Sequence, residues 1–197
     1  MIRLKVIRRG RGLRARVMGL LLPLVSGGSA PGFVKVLVFR PRFFGAPIGR
    51  YGDAVLRGPG LWAIGERELF GAAVSATNAC GYCTGVHAQI ATECLGEATV
   101  DALVHGTGEV PSDVGSPVVP MVAFLRRLSH DPDRLTAADV KTLREGGIGD
   151  DAIWEAAHAA ALLEICNRVN TALGVDAMSP EGNRRAAAML LRRGYDL

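Results

Sequence analysis

Residues 65–95, GERELFGAAVSATNACGYCTGVHAQIATECL, decide how this chain is read. The first half, Gly65 to Ala79, is apolar nearly all round, which predicts a buried helix. A second helix is predicted from about Cys80 to Leu95. Asn78, just before the cysteine pair, is a good cap and would place Cys80 and Cys83 in the first turn of that helix. There the backbone N–H groups and the helix dipole favour a thiolate. Positions 80, 83 and 87 share one face, because spacings of three and four return a side chain to the same side. A Cys-x-x-Cys pair at a helix N-terminus depresses a thiol pKa, and the thiolate is the reactive species. His87 then offers a base one turn from Cys83.

Glu68 is the candidate partner of that base. In one straight helix it would lie roughly 18 Å from Cys80, too far to touch a thiol. If the chain reverses near residues 78–81 into an antiparallel hairpin, His87 returns about 10 Å along the second helix. A glutamate and an imidazole can span the remaining gap, so the spacing favours a relay, Glu68 to His87 to Cys83. Ala72, Ser75 and Ala79 on the same side of the first helix are small and leave room for close packing or a water.

Helical patterns recur at 33–39 and 43–56 (which Pro41 and Pro47 break or start), 97–105, 121–128, 136–145, 150–173 and 181–193. Gly106 to Pro120 reads as a loop, and Thr136 to Asp139 as a capping box. No run alternates with period two, so the expected fold class is all-α. With 197 residues, 49% hydrophobic and 21% charged, the chain holds enough apolar side chains for a full core, which excludes disorder. No stretch reaches the roughly 20 apolar residues of a membrane span.

The charge is unevenly spread. Residues 1–52 carry eleven Lys and Arg and no acid, whereas the other 145 residues carry 12 basic and 19 acidic side chains. The expected organisation is a basic N-terminal arm at 1–30, a helical domain at 31–175, and a C-terminal helix and tail at 176–197. The arm is expected to dock on the acidic body, and Leu13, Val17, Leu20, Leu21 and Leu24 to form an amphipathic helix rather than a cleaved signal. A cytoplasmic location follows as the working expectation.

Glu-x11-Cys-x-x-Cys-x3-His, preceded by Ala-Val-Ser-Ala-Thr-Asn, resembles the AhpD-like alkylhydroperoxidase and carboxymuconolactone decarboxylase superfamily, in its peroxidase-related form. The likeness covers about 33–105 and extends through the helices to 173. It implies an all-helical fold and a thiol-dependent peroxidase. Carried over, Cys83 is oxidised to a sulfenic acid by hydrogen peroxide or an organic peroxide. Cys80 donates a proton and then closes the disulfide, and His87 with Glu68 forms the proton relay. A thioredoxin-like or lipoyl-type dithiol would restore the thiols, and subunits would assemble as dimers, trimers or hexamers. One departure is Tyr82, which stands where characterised alkylhydroperoxidases of this type carry a histidine. The decarboxylase branch works without the cysteine pair, so the pair points away from that activity.

Other readings keep part of this picture. The redox pair alone would suit a disulfide reductase or a redox-regulated oligomeric protein. A zinc site would need a second half-site, and Cys94, Cys166, His105, His130 and His158 stand alone. Accordingly no metal or cofactor is expected, and neither nucleic acid nor a membrane is expected as a partner. Cys94 and Cys166 are read as inert core residues, His158 as a satisfied core or interface histidine, and Trp62 as core packing.

Overall fold

The computed structural model describes residues 2–9 and 32–196. Ten α-helices, three short π or 3-10 turns and no strand make up the described residues. They are α1 (Lys5–Arg9), α2 (Gly32–Phe39), α3 (Ala46–Leu56), α4 (Ile64–Thr77), α5 (Gly81–Leu95), α6 (Glu97–Val100), α7 (Val118–His130), α8 (Ala137–Glu145), α9 (Asp150–Leu173) and α10 (Pro180–Arg193). The fold class is all-α, as expected.

Helix α4 is the centre. It packs against α5, α7 and α9, so no side of it meets solvent broadly, and every position from Gly65 to Ser75 except Glu66 is buried. That environment explains why the sequence shows no apolar stripe there: each face has its own helical neighbour. Helix α10 closes over α5, and α9 also touches α3 and α7. Trp62 is buried and meets Phe70 edge-on, centroids 4.9 Å apart, so its packing role holds.

Prolines account for the shifted boundaries. The stretch 43–56 divides into a π-turn, Pro41–Gly45, and α3, with Pro47 in the first turn, where its missing N–H costs no intrahelical bond. Helix α7 starts at Val118, inside the expected loop, because Pro120 is tolerated in its first turn. The 97–105 segment widens after α6 into a π-turn, Asp101–His105, closed by Gly106, which is left-handed. The capping box holds, with Asp139 accepting from the Thr136 backbone N–H at 2.8 Å.

Residues 2–9 dock on the body. Arg3 donates to the terminal carbonyls of α9, Thr171 and Ala172, at 3.0 and 3.1 Å, where cations are favoured. Ile2 and Ile7 join Val36 in a small second core. The expected helix at Leu13–Leu24 lies outside the described residues. Among the described residues no helix is long and apolar enough to cross a membrane.

Candidate active site

The reversal between α4 and α5 sets the site. Ala79 is left-handed at φ 52°, the amide of Ala79 bonds to the Ala76 carbonyl, and that of Cys80 to the Ser75 carbonyl at 2.9 Å. This is a Schellman motif with alanine at the position glycine normally takes. Asn78 therefore closes α4 rather than opening α5, and its amide donates to Glu164 at 2.7 Å. The cap of α5 is Cys80 itself. The tight turn leaves only Ala79 between the residue that closes α4 and the cap of α5.

The hairpin brings Glu68 and His87 together. Glu68 is fully buried, and its Oε2 lies 2.6 Å from His87 Nδ1. With Glu68 ionised, that bond places the imidazole proton on Nδ1 and leaves Nε2 as the acceptor. The other carboxylate oxygen, Oε1, accepts from Arg57 Nη1 at 2.6 Å and from the Tyr195 hydroxyl at 2.8 Å. Burial raises the Glu68 pKa, but His87 and then Arg57 outweigh it and hold the carboxyl below its ordinary range. Glycine at 71 matters here, since a Cβ would stand 3.2 Å from Leu163 and 3.6 Å from His87 Nδ1.

Arg57 and Tyr195 escaped the sequence reading. Arg57 follows α3 directly, and its guanidinium lies 4.8 Å from the Tyr195 ring centroid. Tyr195 comes from the tail after α10, beyond the segment that carries the resemblance. Its ring stacks on His87 at 12°, and its amide donates to Asp53 at 2.9 Å. Gly194 makes the entry possible: its φ is 72°, and a Cβ there would collide with Asp53 Oδ1. An isolated Gly-Tyr near a chain end gave no periodic signal.

Tyr195→Phe should remove one donor to a buried charge, worth about 1.5–3 kcal/mol. Urea unfolding at neutral pH measures this. A variant as stable as its parent would mean that the hydroxyl contributes nothing to holding Glu68.

Both sulfur-bearing residues are buried, Cys80 at 4% and Cys83 at 3% exposure. The adjacent Cys83 thiol holds the Cys80 thiol down to about 6 against burial, helped by the Cys83 and Tyr82 backbone N–H groups and by Asn170. Cys83 moves the opposite way, raised because it gives its proton to Cys80 and because it is buried. The two thiols therefore titrate as one coupled pair that holds a single proton between them. Asn170 Nδ2 donates to Cys83 Sγ at 3.2 Å. No hydrogen bond among the described residues joins His87 to either sulfur; Cys83 precedes it by one turn.

Iodoacetamide labelling of the reduced chain should follow one ionisation near pH 6, with the adduct on Cys80. Labelling that begins only near the ordinary thiol pKa, about 8.5, would show that the pair is not coupled.

Tyr82 is buried and packs on Phe33, centroids 5.9 Å apart, so the residue between the two cysteines in sequence fills space in the core. Cys166 is buried, as expected. Cys94 is exposed, contrary to expectation, because it stands in the last turn of α5, level with Gly65 at the start of α4, where the core ends. His158 bonds to the Tyr51 hydroxyl at 2.8 Å beside Trp154. These residues line a groove of about 300 Å³. Twelve residues of α9 separate His158 from Asn170, about 18 Å, so the groove is not part of the thiol site.

No family model and no curated protein matches this sequence. Solved structures do match its fold. An uncharacterized peroxidase-related protein from Ralstonia eutropha JMP134, described as an alkylhydroperoxidase AhpD core, aligns with a TM-score of 0.68 at 24% identity, over 87% of this chain and 90% of its own. An uncharacterized peroxidase-related protein from Silicibacter sp. TM1040 aligns with a TM-score of 0.74 at 20% identity, over 93% of this chain and 95% of its own. The fold is thus that of AhpD-like, peroxidase-related proteins.

Proposed function

We propose that this chain is a thiol-dependent peroxidase of the AhpD-like type, cycling through a Cys80–Cys83 disulfide. The observation that carries the reading is geometric: two buried cysteines, one of them held by Asn170 at 3.2 Å, stand on the same helix as His87, which is bound to the buried Glu68 at 2.6 Å. A structural cysteine pair needs no internal base, and a buried carboxylate with three donors is costly unless it serves something.

The cycle balances. The Cys83 proton passes to the Cys80 sulfur, and the Cys83 thiolate attacks one peroxide oxygen. An S–O bond forms as the O–O bond breaks, so the sulfur is oxidised by two electrons and the peroxide is reduced to an alcohol or water. The departing oxyanion takes the proton from Cys80. The Cys80 thiolate then attacks the sulfenic acid, the S–S bond forms and hydroxide leaves. His87 Nε2, with Nδ1 anchored by Glu68, is the base through which the Cys83 proton reaches the Cys80 sulfur. A thioredoxin-like or lipoyl-type dithiol reduces the disulfide.

Steady-state consumption of hydrogen peroxide with a dithiol reductant tests the proposal. Turnover that depends on both reagents is expected. A chain that exchanges with peptide disulfides yet leaves peroxide untouched would be a disulfide reductase instead.

A further inference from the structure

Among the described residues nine buried side-chain polar atoms have no hydrogen-bond partner, and four of them fall on three residues: Ser75 Oγ, Nδ2 and Oδ1 of Asn167, and Asn170 Oδ1. All three residues are at most 1% exposed. Their helices place them in one layer. At Gly71, α4 meets both Leu163 of α9 and His87 of α5. One turn onward from that meeting point stand Ser75 on α4 and Asn167 on α9, and one turn back on α5 stands Cys83. The Asn170–Cys83 contact fixes the same register from the next position on α9.

An unsatisfied buried polar group costs about 1–3 kcal/mol, so a concentration of them beside an apolar core marks a place kept for a polar occupant. Resting on the peroxidase reading, we propose that Ser75, Asn167 and Asn170 form a cradle for the two oxygens of a small hydroperoxide at Cys83. The chemistry is complementary. A hydroperoxide carries one O–H donor and lone pairs on both oxygens. The cradle supplies amide acceptors on Asn167 and Asn170, the Asn167 amide donor, and a serine hydroxyl that does either. Asn170 holds both reactants at once: its Nδ2 bonds the attacking sulfur, and its Oδ1 takes the O–H of the oxidant. As the S–O bond forms and the O–O bond breaks, the same donors meet the charge growing on the departing oxygen. Full burial selects hydrogen peroxide over bulky organic hydroperoxides.

The test uses the full chain, with Asn167→Leu and Ser75→Ala, and compares oxidation rates by hydrogen peroxide and cumene hydroperoxide against alkylation by iodoacetamide. Asn167→Leu should lose about tenfold in the hydrogen peroxide rate, the worth of one hydrogen bond, with alkylation unchanged. Ser75→Ala should fall less, in the same direction, and decides the matter where Asn167→Leu does not fold. The parent should prefer hydrogen peroxide to cumene hydroperoxide. Peroxide rates that stay at the parent value, or fall in step with alkylation, overturn the cradle alone. A parent chain that no peroxide oxidises overturns the peroxidase reading and the cradle with it.

Discussion

Cys83→Ser is expected to abolish peroxide consumption, because the attacking sulfur is gone and a serine hydroxyl is a poor nucleophile without strong activation. Cys80→Ser is expected to behave differently. It keeps the nucleophile but loses the anion that receives the Cys83 proton and the thiol that resolves the sulfenic acid. A single, slower oxidation should follow, leaving a sulfenic acid on Cys83 that a dimedone-type reagent traps. Because the two thiols share one proton, this pair of variants tells the attacking sulfur from the resolving one. If Cys83→Ser is the variant that consumes peroxide and takes the label, Cys80 attacks directly and the two roles are reversed.

The second large effect is expected at Glu68. Glu68→Ala leaves Arg57, Tyr195 and His87 with donors aimed at nothing, and breaking a buried ion pair costs about 3–5 kcal/mol. Against a total stability of roughly 5–15 kcal/mol, that variant sits close to unfolding. Glu68→Gln is the more informative change. Its amide keeps the shape, and its oxygen still accepts from Arg57 and Tyr195, but its NH2 now faces His87 Nδ1. The imidazole must accept there, so its proton moves to Nε2 and the base is lost. Oxidation at neutral pH should slow by about 10² to 10⁴, the usual worth of general-base assistance, and recover as hydroxide rises. Glu68 also sets the acid limit. Its folded-state pKa is depressed, burial being outweighed by His87 and Arg57, so its stabilisation is complete above the unfolded value, about 4.3. That contribution is lost as pH falls through the folded value. Acid unfolding of Glu68→Gln should lack this component; an unchanged acid limb would place the pH sensitivity elsewhere.

The helical fold was legible because it rests on local signals: the 3.6-residue apolar period, the Thr136 box, the Gly and Pro punctuation. The α4–α5 hairpin was legible too, since Glu68 and His87 can meet only if the chain reverses between them. What escaped was of two kinds. Arg57, Asn170 and Tyr195 reach the site from helices and a tail distant in sequence, and no spacing rule links them to residues 68–87. The Asn78 cap failed for another reason. A good capping residue was present, but tertiary structure closed α4 with Asn78 and Ala79 and left Cys80 as the cap. Cys94 follows the same logic: periodicity gives the face of a helix and not the level at which the core ends.

Peptide mapping of the reduced chain after one equivalent of hydrogen peroxide tests whether Cys80 and Cys83 form a redox-active pair. Both thiols should be lost into a Cys80–Cys83 disulfide, restored by a dithiol, with Cys94 and Cys166 unmodified. A pair that stays reduced while the adduct appears on Cys94 or Cys166 would contradict it.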